Sequence, residues 1–155
     1  VHSVASAGLA DAGVAERQAA VAVDRLEAAG RTVHKRTVSY VESDSPGSVC
    51  TLRADYDTGV AGLDALGEKG ESAEEVGRRP VDALDSFEET GAAVDQHLSD
   101  QLLPFLAVVG GVVTVPAVTD HVASGVDLLS RFGCDVAVEE GNGQVQLRAD
   151  GLVGN

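Results

Sequence analysis

"AAVDQHLSDQLLPFLAVVGG", residues 92–111, is the most apolar segment of the chain, yet its first half carries an imidazole, a carboxylate and an amide. Asp100 and Gln101 follow His97 by three and four residues, so one helical face would hold all three. The composition predicts one apolar helix over 93–109, stopped by Gly110 and Gly111. Downstream, VVTVP (112–116) reads as a short buried strand. Thr119 or Asp120 then caps a helix running through Phe132, with Val122, Val126 and Leu129 on one face. CDVAVEE and QVQLRAD alternate apolar and polar residues around GNG, the pattern of a β-hairpin, and the tail LVGN is expected to fray. The resulting order is helix, strand, helix, strand, strand. Its first helix has no strand before it and its sheet has only three, as expected of a piece of a larger fold.

Working towards the start of the chain, SAEE (72–75) is a capping box that opens a helix to about residue 90, with Pro80 expected to kink or interrupt it. Residues 14–29 are rich in helix formers and end at Gly30. RTVHKRTVSY (31–40), VCTLRADY (49–56) and the glycine-weakened GVAGLDAL (59–66) read as strands, and SDSPGS (43–48) as a loop. The whole is an α+β chain: a small α/β unit over residues 1–90, then the helix-strand-helix-strand-strand unit over 91–155.

With 44% hydrophobic residues the chain folds, but Trp and Met are absent, so the core must come from Val, Leu and Ala. No apolar run is long enough to span a bilayer, and the N-terminus lacks the basic start and apolar stretch of a secretory signal. A cytoplasmic protein without a membrane partner is expected. Cys50 and Cys134 show no metal-type spacing and are expected to be buried, reduced thiols. A net charge of −14 opposes non-specific attraction to nucleic-acid phosphates. Lysine occurs only at Lys35 and Lys69 while acidic residues crowd the predicted surfaces. Such a composition, like that of proteins from salt-loving archaea, suits molar salt, where the Debye length is about 3 Å. The basic trio His34, Lys35 and Arg36 is read as a solvated face.

On residue chemistry alone, the trio of His97, Asp100 and Gln101 fits a solvated stripe on an amphipathic helix as well as a ligand site. His121 falls in the first turn of a helix, where backbone N–H groups attract anions and the dipole favours the neutral imidazole, a potential nucleophile. It is equally compatible with an ordinary exposed residue.

GAAVDQHLSDQLLPFLAVVGG (91–111), followed by VTDHVASGVDLLSRF (118–132), resembles the C-terminal part of the RNA 3'-terminal phosphate cyclases. DALGEKGESAEEVG (64–77) is similar to the end of the domain inserted into those enzymes, and GLADAGVAERQ (8–18) to its first helix. The resemblance therefore implies an inserted domain over 1–90 and, over 91–155, the C-terminal part of a catalytic domain built from βαβαββ-type repeats. It implies ATP-dependent conversion of an RNA 3'-phosphate to a 2',3'-cyclic phosphate, a ligase chemistry of RNA processing, through a histidine–AMP intermediate. Carried over by motif, His121 is the nucleophile. His97, Leu98, Ser99, Asp100 and Gln101 form the ATP-binding segment, with His97 stacking near the adenine. No residue is assigned as a metal ligand; a divalent ion, Mg or Mn, would be carried on the phosphates. RNA 3'-phosphate ends and ATP are the implied partners.

Two departures accompany the resemblance. ASGVD (123–127) stands where the family commonly has polar residues, Thr and Asn among them. The family's N-terminal half, with a glycine-rich segment and phosphate-holding arginines, has no counterpart here; Gly67, Gly70 and Gly77 are too scattered for a phosphate loop. The chain is thus expected to be a fragment, inactive or nearly so alone, with the missing half as a further partner. The alternative is a non-catalytic cyclase-like binding protein of RNA processing or ribosome assembly.

Overall fold

The computed structural model describes all residues except 58, 142, 143 and 153–155. It divides into two compact units, Val1–Asp55 with Gly62–Ser86, and Tyr56–Ala61 with residues 87 onward. Among the described residues no helix is long and apolar enough to cross a membrane.

The first unit is built on strand β1 (His2–Ser6), which the sequence reading missed. Helix α1 (Val14–Ala28) carries the chain to β2 (Thr37–Val41), which lies parallel to β1, with His2 opposite Thr37. Strand β3 (Ser48–Tyr56) pairs antiparallel on the other side of β1, and β4 (Gly59–Gly67) completes the order β2-β1-β3-β4. The expected strand from residue 31 therefore starts only at Thr37, because β1 offers no partner earlier. Residues 31–36 are tied down differently: the Val1 amine donates to the Lys35 carbonyl at 2.8 Å and Arg36 to the Glu16 carbonyl at 3.0 Å. His34, Lys35 and Arg36 are exposed.

Ala15, Gln18, Ala19, Ala22 and Leu26 form the buried stripe of α1. Gln18 is wholly buried, and both ends of its amide are used: Ser3 Oγ donates to Oε1 at 2.8 Å and Nε2 donates to Ser48 Oγ at 2.7 Å. Buried amides need such partners, and this one ties α1 to β1 and β3. Gly30, at φ +77°, ends the helix as expected.

Helix α2 (Ala73–Thr90) begins where Ser72 Oγ accepts the Glu75 N–H at 3.2 Å. The Glu75 carboxylate pairs with Arg78 at 3.1 Å. The helix runs on through Pro80, contrary to the expected interruption. Pro80 lies on its buried side with Val76, Gly77, Val81 and Leu84, where packing offsets one missing N–H bond. A Cβ at Gly77 would stand 2.4 Å from the Gln18 carbonyl oxygen, and one at Gly67 2.3 Å from Ser48 Oγ. Gly77 thus allows close packing of α2 on α1, and Gly67 of β4 leaves room for the Ser48 hydroxyl of the neighbouring β3. Arg17–Glu74 at 2.7 Å and Arg25–Asp82 at 2.5 Å link α1 to α2 in ascending order, so the two helices run in the same direction, and Arg31, just past α1, pairs with Asp85 at 2.6 Å.

Those pairs are largely solvent-accessible and each contributes little. Repulsion within a chain of net charge −14 is the larger salt-sensitive effect. The melting temperature is therefore expected to rise from about 0.1 M to molar KCl. A fall, measured by circular dichroism, would show that the ion pairs dominate.

In the second unit α3 (Gln96–Gln101), α4 (Leu103–Val109) and α5 (Asp120–Arg131) accompany a three-stranded antiparallel sheet, β5 (Gly111–Val115), β6 (Val136–Gly141) and β7 (Gln144–Ala149), in the order β5-β7-β6. Its core joins Leu103, Leu106 and Ala107 to Val115, Val122, Val136, Leu147 and Ala149, with Val126 and Leu129 packed against them. The opposite sheet face is polar, with Arg148 paired to Glu139 at 3.4 Å.

The single helix expected over 93–109 is two. The break falls at Leu102 because Pro104 occupies the first turn of α4. β5 is buried only at Val115; Val112 is exposed, so the expectation of a buried strand is corrected. The hairpin forms, with Gly141 opposite Gln144, although Asn142, Gly143 and tail residues 153–155 lie outside the described residues.

Both cysteines are free thiols, but only Cys50 is buried; Cys134 is half-buried, which corrects its expected burial. Burial also pushes the Cys50 thiol pKa up. A raised folded value favours the native state at neutral pH, and this contribution is lost as pH rises through that value. One thiol is expected to react with a disulfide reagent in the native chain near pH 8 and both in denaturant. Equal native reactivity would contradict the buried site.

Candidate functional site

Helix α3 exists because Asp95 caps it. One carboxylate oxygen accepts the His97 N–H at 2.9 Å and the Leu98 N–H at 2.8 Å. Ser99 is buried and its hydroxyl donates to the Asp95 carbonyl at 2.7 Å. His97 and Gln101 are exposed, while Leu98 and Asp100 are half-buried. The short helix thus turns Ser99 inward and presents His97 and Gln101 to solvent. Asp95 was missed as a positioning residue; an Asp just ahead of an apolar helical run was the available signal.

His121 is the second residue of α5 and is exposed. Thr119, not Asp120, is the cap: its hydroxyl accepts the Val122 N–H at 3.2 Å and its carbonyl the Ala123 N–H at 2.9 Å. α3 and α4 both lie against α5, so residues 97–101 and 121 belong to neighbouring helices of one unit. At Gly125, one turn beyond His121, a Cβ would stand 2.6 Å from Leu103 Cδ1 of α4. The glycine in ASGVD therefore leaves room for the Leu103 side chain between α5 and α4.

A cavity of about 210 Å³, lined by Tyr56, Phe87 and Glu88 among others, contains none of these residues. Tyr56 donates its hydroxyl to Glu88 there at 2.9 Å. Among the described residues, no group of three or more His, Cys, Asp or Glu is placed to hold a metal ion.

The arginines are committed elsewhere. Arg17, Arg25, Arg31, Arg53, Arg78, Arg79, Arg131 and Arg148 each pair with an Asp or Glu, and Arg36 donates to the Glu16 carbonyl.

Residues 1–87 match the family model described as RNA 3'-terminal phosphate cyclase (RTC), insert domain. The chain is 45% identical over 149 residues to a protein of Halobacterium salinarum named RNA 3'-terminal phosphate cyclase, a match covering 96% of this chain and 42% of that protein. A protein of the same name from Pyrococcus furiosus is 40% identical over 133 residues, covering 85% of this chain and 38% of its own length. One from Thermococcus kodakarensis is 40% identical over 128 residues, covering 83% of this chain and 37% of its own length. The chain thus spans about two-fifths of the length of these relatives.

Proposed function

Because the chain belongs to the RNA 3'-terminal phosphate cyclase family and carries its insert domain over residues 1–87, we propose that it supplies the nucleophile of an ATP-dependent RNA 3'-phosphate cyclase. In this reading a neutral ring nitrogen of His121 attacks the α-phosphorus of ATP. The bond to pyrophosphate breaks and a histidine–AMP phosphoramidate forms. An oxygen of the RNA 3'-phosphate then attacks the AMP phosphorus, breaking the P–N bond and freeing the histidine. Finally the ribose 2'-hydroxyl loses its proton and closes on the 3'-phosphorus, releasing AMP and leaving a 2',3'-cyclic phosphate. Splitting the condensation this way activates a poor leaving group at the cost of one ATP.

His97, Leu98, Ser99, Asp100 and Gln101 are proposed to form the nucleotide-binding segment. Its exposed members, His97 and Gln101, would meet the base and its surroundings, while Ser99 holds the helix to Asp95. A divalent cation, Mg or Mn, would arrive on the nucleotide phosphates and supply charge neutralisation there. The observation that carries the reading is His121 in the capped first turn of α5, on a helix that lies against the one bearing residues 97–101.

The test replaces the matching 149 residues of the Halobacterium salinarum relative with this chain. Incubated with ATP labelled in its α-phosphate, the chimera is expected to acquire an acid-labile, alkali-stable protein adduct and to cyclise RNA 3'-phosphate ends. The 155-residue chain alone is expected to label far less, since it spans only 42% of that relative's length. Cyclisation with no protein-bound AMP would overturn the proposed intermediate. RNA binding with neither label nor cyclisation would favour a non-catalytic binding role.

A further inference from the structure

We propose that the cavity at the C-terminal end of α2 is a binding site for a compact organic cation, an alkylated ammonium group. The proposal goes beyond the cyclase reading and uses none of its residues. The lining comes from two stretches of the second unit, one around Tyr56 and Gly59 and one around Phe87 and Ala92. Phe87 and Glu88 belong to the last turn of α2, and Gly91 follows its end at φ +61°. Gly59, Gly91 and Ala92 contribute little bulk, so Tyr56, Phe87 and Glu88 give the space of about 210 Å³ its chemical character.

Three features of that lining favour positive charge. The Tyr56 and Phe87 ring centroids stand 6.2 Å apart, with the ring planes inclined at 53°. Aromatic faces carry partial negative charge and attract cations within about 6 Å of the ring centroid. The Glu88 carboxylate accepts the Tyr56 hydroxyl at 2.9 Å, which sets a full negative charge beside the rings. Among the described residues that line the cavity, Glu88 is the only charged one. The third feature is the helix itself. α2 is 18 residues long, its negative dipole end falls at Thr90, and no basic side chain lies in its last turn.

The same features choose among ligands. A hard divalent ion prefers several carboxylate or carbonyl oxygens, whereas aromatic walls reward a diffuse, weakly hydrated charge. A nucleotide would bring its phosphate to a carboxylate and a helix C-terminus, and rings inclined at 53° form no parallel slot for a base. The volume falls below the roughly 300–1,000 Å³ of pockets for drug-sized ligands, so a head group fits better than an extended molecule. An alkylated ammonium combines diffuse charge, apolar surface and this size. It can belong to a free solute or to a methylated lysine of another polypeptide.

The test compares choline with the uncharged alcohol in which carbon replaces the choline nitrogen. Each is titrated into the isotope-labelled chain at constant ionic strength and followed by NMR. Choline is expected to shift the amide resonances of Gly59, Gly91 and Ala92 with a dissociation constant on the order of millimolar, and the alcohol to bind at least about tenfold more weakly. Tyr56→Leu and Phe87→Leu keep apolar bulk without the ring faces, and each is expected to weaken choline binding about threefold or more. Glu88→Gln, at an exposed position, is expected to do the same without moving the melting temperature, so the test does not depend on a ring variant folding. Equal binding of choline and the alcohol would overturn the proposal, as would choline shifts that leave these amides unmoved. Adenosine monophosphate binding there more tightly than choline would also overturn it, in favour of a base pocket. A trimethyllysine peptide that binds more tightly than choline assigns the cation to a polypeptide, and one that binds no better assigns it to a free solute; both results uphold the site. His121→Ala is expected to leave choline binding unchanged, so failure of the adenylylation reading and failure of this one are separable.

Discussion

Alanine at position 77 is expected to destabilise the first unit by roughly 2 kcal/mol or more, a drop in melting temperature on the order of 10 °C. On an exposed helix the same change would help, since alanine is favoured over glycine by about 1 kcal/mol. Here the added Cβ would lie 2.4 Å from a backbone oxygen of Gln18. A side chain can rotate away from such an overlap; a carbonyl in the middle of a helix cannot. α1 and α2 must separate, which strains the Gln18 amide between Ser3 and Ser48 and the ion pairs along both helices. The matched control is Gly62→Ala in β4, where nothing lies within 4 Å of the new atom. Thermal melts should separate the two variants clearly. An unchanged melt for Gly77→Ala would mean that the helices are not in this close contact.

His121→Ala and His121→Asn are both expected to reduce AMP incorporation in the chimera at least about a thousandfold, to background. The side chain is exposed, so its loss leaves no cavity and the melting temperature should hardly move. Asparagine matters as a comparison because it keeps a polar group of similar reach in the same turn while lacking a nucleophilic nitrogen. Retained labelling in either variant would assign the adduct to another residue. His97→Ala should behave otherwise, raising the KM for ATP while the adduct remains on position 121. A loss of adduct linkage in His97→Ala would reverse the two roles.

The parts of the fold legible in the sequence were those where pattern and partner coincide. α1 stops at Gly30, β3 and β4 alternate, and the β6–β7 hairpin follows its apolar–polar rhythm, because each obeys local rules. β1 was hidden because its inward positions, Ser3 and Ala5, are small, and one is polar. Only the Gln18 amide opposite makes a buried serine sensible there. The start of β2 was equally unreadable, being fixed by where β1 begins and not by residues 31–36. Gly67, Gly77 and Gly125 look like weak points in a one-dimensional reading; their value lies in the atoms they leave room for. At the candidate site, spacing and helix position singled out His97, Asp100, Gln101 and His121, and motif resemblance supplied the roles proposed for them. Asp95 was overlooked because its contribution is a capping contact made before the helix starts.

The position of β1 in its sheet bears on how the protein acquires its fold. His2 needs Thr37 on one flank and Thr51 on the other. The residues of β1 therefore wait unpaired until both later segments have been synthesised, and must then insert between them. Such long-range closure carries an entropic barrier that slows folding. The α1 helix, with its local contacts, is the natural nucleus, and the centre of the sheet is among the last places to zip shut.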